Sequence, residues 1–143
     1  MTGSIPSPLA EIRDDLLALE TPDRLELLVE LGGELAPARE PYASDPTAAE
    51  RVTECQSPVY VAVDVADGIV TLHAIAPAEA PTTRGFAALL QQGVTGQAVA
   101  DVLAIPADFP QTLGLERVVS PLRLSGMAGM LRRVKRQVAA LTA

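Results

Sequence analysis

The chain has one cysteine, one histidine, one lysine and no tryptophan among its 143 residues. Each shortage removes a class of chemistry. A lone thiol closes no internal disulfide, builds no thiolate metal cage and supplies only half of a dithiol redox pair. An iron–sulfur cluster of its own is excluded on the same ground, because such clusters normally take several cysteine ligands. His73 without partner ligands makes no metal site. Lys135, the only lysine, sits in a basic stretch of the last helical segment, a poor place for a Schiff base with pyridoxal phosphate. Two Phe and two Tyr are the only aromatics, so a core drawn from a chain that is 48% hydrophobic must be aliphatic. No apolar run is long enough to cross a bilayer, and Met1 to Glu20 lacks the basic-then-apolar pattern of a signal peptide. Together with the single cysteine, this predicts a reducing, cytoplasmic setting. The length predicts one domain over 1–143.

Positive charge is scarce and unevenly placed. The formal net charge is −7. Residues 1–114 carry seventeen acids and five bases, and residues 115–143 carry one acid and six bases. An acidic body is a poor match for phosphate backbones, so neither nucleic acid nor a membrane surface is expected as a partner. The basic group Arg132, Arg133, Lys135 and Arg136 is read as cations aligned with the C-terminal end of a helix.

What is present is helical at both ends and extended in the middle. Ser7-Pro8 and Thr21-Pro22 each look like an N-cap followed by proline at the first helical position, ahead of the leucines of two helices, with Gly32-Gly33 ending the second. Residues 36–50 read as loop. Val59, Val61, Val63 and Val65 alternate with polar or small residues, and Asp67-Gly68 is a strong two-residue turn signal. That turn sets a register in which Val65 faces Val70, Val63 faces Leu72 and Val61 faces Ala74. These apolar pairs form the core face, and Asp64–Thr71 and Ala62–His73 form the mixed face. Thr82 or Thr83 opens a helix running to Gly93, and Thr95 opens a short one through Leu103. Pro106 to Leu115 is ambiguous, and Ser120-Pro121 starts a long final helix whose stripe is Met127, Met130, Leu131, Val134, Val138 and Leu141. The expected fold is α+β, with a small antiparallel sheet of about three strands around a central hairpin and helices packed on one face.

Cys55 lies in Val52-Thr53-Glu54-Cys55-Gln56-Ser57-Pro58-Val59-Tyr60, on a polar loop that leads into a strand. Such loops display reactive groups, although a free cysteine is also commonly a packing residue. A nucleophilic thiolate needs a cation, a helix N-terminus or a base. Glu54 raises its pKa if anything, and the candidate cations are Arg51, Arg84 and Arg123. Arg123 either stabilises the sulfur or contacts the loop at a helix end. Gln56 and Ser57 are expected to hydrogen-bond the loop backbone, and Gly85 and Gly126 to let helices pack closely.

The stretch Val52-x-x-Cys55-Gln56-Ser57-x-Val59-Tyr60 resembles the signature of the SufE family, with its SufE/IscU-like fold. Val29-Glu30-Leu31-Gly32, Asp67-Gly68, Arg84-Gly85 and Ser120-Pro121-x-Arg123-x-x-Gly126-Met127 match further family positions in order, over roughly residues 10–140. The resemblance implies a sulfur acceptor. Cys55 would take persulfide sulfur from a SufS-like cysteine desulfurase, stimulate that enzyme and pass the sulfur to an iron–sulfur scaffold. Pyridoxal phosphate would belong to the desulfurase alone, and this chain would have no cofactor. The family often has Gly where this chain has Glu54. Two other readings stay open: a single-cysteine thiol peroxidase or redox sensor, and an interaction module that needs no thiol.

Overall fold

A computed structural model describes residues 5–143. Its elements run α1 (Ser7–Ala18), α2 (Thr21–Gly32), β1 (Glu50–Arg51), β2 (Tyr60–Ala66), β3 (Ile69–Ile75), α3 (Pro81–Val94), α4 (Val99–Leu103) and α5 (Pro121–Leu141). Residues 1–4 of the expected 1–143 domain lie outside the described residues. The strands form one antiparallel sheet in the order β1-β2-β3, and the fold is α+β as the sequence predicts.

The hairpin register is the one derived from Asp67-Gly68: Val65 pairs with Val70, Val63 with Leu72 and Val61 with Ala74. Asp67 and Gly68 both take positive φ, 53° and 74°, the geometry a two-residue hairpin turn demands. Val61, Val63, Val70, Leu72 and Ala74 are buried on the inner face. On the outer face His73 pairs with Asp64 at 2.6 Å and its ring lies 5.2 Å from that of Tyr42, so the loop before the sheet partly covers this side. The third strand is only two residues long and begins inside the segment expected to be loop, which also holds a 3-10 turn at Pro46–Ala48.

Because β1 is so short, β2 is left with unpaired backbone groups. Gln137 of α5 supplies them: its Oε1 accepts from Val63 N at 2.8 Å and its Nε2 donates to Val61 O at 3.3 Å. At the other edge, Thr95 Oγ1 accepts from Leu72 N and Gln91 Nε2 donates to Leu72 O. Thr95 therefore caps a strand edge rather than a helix, and α4 starts at Val99. These side chains, with the buried stripe Met127, Met130, Leu131, Val134 and Val138 and the buried Phe86, Leu89 and Leu90, fix α5 and α3 against the sheet. Leu141, expected on the stripe, is 57% exposed.

The helix starts differ from expectation. Ser7 and Thr21 are already helical, with Pro8 and Pro22 in the first turn, where no N–H partner is lost. α3 likewise begins at Pro81, ahead of Thr82 and Thr83. Ser120 does cap α5, its Oγ accepting from Arg123 N at 3.3 Å. The Glu-Leu-Gly and Arg-Gly segments prove to be two sides of one helix contact. A Cβ on Gly32 would lie 3.1 Å from Gly85 N, and one on Gly85 would collide with Leu28 O. Arg84 clamps the same junction, donating to Gly32 O at 2.9 Å and Ala76 O at 2.7 Å.

Candidate functional site

Cys55 sits midway along the loop joining β1 to β2. Main-chain bonds shape that loop: Val52 N donates to Val59 O, Cys55 N to Val52 O and Val59 N to Ser57 O. The thiol is half-buried and lines a cavity of about 360 Å³ together with Glu54, Gln56 and Ser57. The same cavity is lined by residues at two helix starts, Ala80 to Thr83 at the start of α3 and Ser120, Leu122 and Arg123 at the start of α5. Glu79 lines it as well, and Leu122 is half-exposed.

The back of the site is α5 itself. A Cβ on Gly126 would stand 2.8 Å from Cys55 Sγ, and a Cβ on Gly129 would stand 2.6 Å from the Glu54 carboxyl carbon. Gly126 was expected to let helices approach one another. It instead makes room for the thiol, while Gly85 does serve a helix contact.

Glu54 lies beside Arg132 and Arg133, with Arg133 Nη1 2.7 Å from its Oε1. Burial pushes the carboxyl up, but its own backbone N–H and the charge of Arg133, with hydrogen bonds from both arginines, hold it below the ordinary glutamate value. Glu54 is not at positive φ, so its backbone does not need the glycine often found there in the family. Burial, and then the Glu54 charge, push the Cys55 thiol up, with Arg133 and Arg51 pulling partly against them. Burial and the Glu54 charge both favour the protonated thiol over the thiolate.

The remaining expected residues fall as follows. Gln56 and Ser57 line the cavity. Arg123 lines it too, and its Nη1 reaches Thr82 Oγ1 at 3.4 Å, tying the two helix starts together. Arg84 is committed to the Gly32 and Ala76 carbonyls and is not part of the cavity wall. The basic group of the last helix corrects the sequence reading: no cation lies in the last turn of α5. Arg132, Arg133 and Arg136 instead grip Glu54 and Glu50, and Lys135 donates to Ile105 O. Arg133 is the residue missed. Its signal was the pair of acids four apart, Glu50 and Glu54, matched by arginines at comparable spacing some eighty positions later. Among the described residues no group of three or more His, Cys, Asp or Glu could hold a metal, and no helix is long and apolar enough to cross a membrane.

The SufE family, described as the Fe-S metabolism associated domain, matches residues 10–138. An uncharacterized SufE-like protein of Mycobacterium tuberculosis is 49% identical over 137 residues, 95% of this chain and 94% of that one. The SufE-like protein 1, chloroplastic/mitochondrial, of Arabidopsis thaliana is 29% identical over 93% of this chain and 35% of its own length. The solution structure of a hypothetical protein from Thermus thermophilus superimposes with a TM-score of 0.85 at 35% identity, covering 98% of this chain and 100% of that one.

Proposed function

This chain belongs to the SufE family, whose domain is associated with Fe–S metabolism, and on that premise we propose that Cys55 accepts sulfur from a cysteine desulfurase. The observation that carries the reading is the chain's only thiol on the wall of an open cavity, at the middle of a loop. In the transfer, the Cys55 thiolate attacks the terminal sulfur of a persulfide on the desulfurase. A new sulfur–sulfur bond forms on Cys55, the old one breaks, and the desulfurase cysteine leaves as a thiolate that takes up the proton Cys55 gave up. The sulfur moves without net oxidation or reduction, and thiolate fraction and access set the rate.

Burial disfavours the thiolate at rest, so access and thiolate fraction both have to rise when a partner engages the loop. Arg123 and the two helix starts line the same cavity and would offer positive potential to a persulfide anion held there. The partner is a SufS-like desulfurase carrying the pyridoxal phosphate, the next recipient is an iron–sulfur scaffold, and the setting is the cytoplasm. Mass spectrometry after incubation with desulfurase, cysteine and pyridoxal phosphate tests the reading. The expected product is a sulfur adduct on Cys55 that reductant removes; a chain that stays unmodified while the desulfurase turns over contradicts it.

A further inference from the structure

Arg133 is in the middle of α5 with 14% of its side chain exposed, and a cation so enclosed requires partners. All but one come from the segment that carries the thiol. Nη1 lies 2.7 Å from Glu54 Oε1, Nη2 lies 3.0 Å from Thr53 Oγ1, and Nε lies 3.3 Å from Glu50 Oε2. The remaining partner is the Gly129 carbonyl, 3.0 Å from Nη1 on its own helix. Arg132 adds a contact to Glu54 and Arg136 one to Glu50.

One guanidinium thus gathers three side chains from Glu50 to Glu54, the last of them the immediate neighbour of Cys55. The surface of α5 is hollowed to receive them, because Gly126 and Gly129, one turn apart, leave the spaces that Cys55 Sγ and the Glu54 carboxylate fill. Both residues press on the same helix face. The hold is incomplete. Arg133 Nε is buried and, among the described residues, makes no hydrogen bond despite its closeness to Glu50. A donor left unsatisfied in the closed arrangement lowers the cost of opening it.

We infer that Arg133 is a positioning residue and that the Glu54–Arg133 pair is a latch holding Cys55 against α5, so that the half-buried sulfur becomes fully accessible to a partner when the pair parts. This rests on the reading of Cys55 as sulfur acceptor, and its test uses the isolated chain, so each can fail without the other. The charged groups around the sulfur are Glu54 and Arg51 in its own segment, Arg133 on α5, and Glu79 and Arg123 along the cavity.

The experiment is the rate of Cys55 alkylation by iodoacetamide across pH for wild type, Glu54→Gln, Arg133→Gln and the double variant. The midpoint of each profile reports the thiol's pKa, and the high-pH plateau reports access alone. The latch predicts a plateau raised about fivefold in each single variant, or ~1 kcal/mol, the scale of one partly exposed ion pair. It predicts a gain in the double variant well below the product of the single gains, since both changes break the Glu54–Arg133 pair while Arg132–Glu54 and Arg133–Glu50 are each touched by only one of them. Added salt should raise the wild-type plateau more than that of Glu54→Gln, in which only the Glu50 pairs are left to screen. Plateaus equal to wild type, or single effects that multiply in the double variant, would overturn the latch. If Arg133→Gln does not fold, the plateau of Glu54→Gln, a change at a side chain 27% exposed, decides the matter.

Discussion

Gly126→Ala isolates the fit between the thiol and the helix behind it. The new methyl would stand 2.8 Å from Cys55 Sγ but 4.0 Å from Cys55 Cα and Cβ, so it obstructs the sulfur and not the loop backbone. An ordinary contact needs about 3.5–4 Å, leaving a deficit of about 1 Å that rotation about the Cα–Cβ bond can absorb. An off-minimum rotamer costs about 0.5–1.5 kcal/mol, while replacing glycine by alanine within a helix returns up to ~1 kcal/mol. The two nearly cancel, so stability should stay within ~1 kcal/mol of wild type. Reactivity should not. Turning the sulfur off α5 relieves the burial that holds its pKa up, so the midpoint of the alkylation profile should move down and neutral-pH alkylation should be faster than wild type. Urea unfolding and iodoacetamide kinetics on the same samples measure both. Unchanged or slower alkylation in a folded protein, or a loss above ~2 kcal/mol, would refute this account of why Gly126 is there.

Gly85→Ala should behave oppositely, because its methyl would collide with Leu28 O and lie 3.0 Å from Leu28 C, and backbone cannot rotate away. With α2 and α3 forced apart, a net loss of ~2 kcal/mol and a Tm lower by about 6 °C are expected by calorimetry, and wild-type stability would contradict the packing argument. The Glu54 carboxyl is held below its ordinary value, so its stabilising contribution is complete above the unfolded-state value of about 4.3 and is lost as pH falls through the lower folded-state value. Urea titrations should therefore show wild type more stable than Glu54→Gln at neutral pH, by at most ~1 kcal/mol, with the gap closing at acid pH; a gap that persists undiminished at acid pH would show that the carboxylate is not its source.

The hairpin could be read from the sequence to the residue because its determinants are local. Asp67-Gly68 allows positive φ at two successive positions, and alternating valines leave one register that buries apolar pairs. The long helix was legible for the same reason, with Ser120 capping it and a stripe at helical spacing behind. Strand β1 was not, since two residues carry no periodicity and are placed by β2 alone. Thr95 was misplaced because a hydroxyl before a helix resembles a cap, yet the nearby β3 edge had an unpaired N–H to satisfy. At the site, Cys55 and its cavity neighbours Gln56, Ser57 and Arg123 stood out, but the cations set against Glu54 did not. Arg132 and Arg133 lie nearly eighty residues from Glu54, and only the packing of α5 against β2 brings them together. A glutamate beside the cysteine read alone suggests a repelled thiolate, whereas in the fold it is the residue by which the loop is held to the helix.

The proposed acceptor is the sulfur atom of Cys55. The most direct measurement is the turnover of a cysteine desulfurase with wild type and with Cys55→Ser, at equal concentrations of folded protein. Several-fold stimulation by wild type and none by Cys55→Ser is the predicted result; equal stimulation by the two would contradict a covalent role and leave this chain an interaction module.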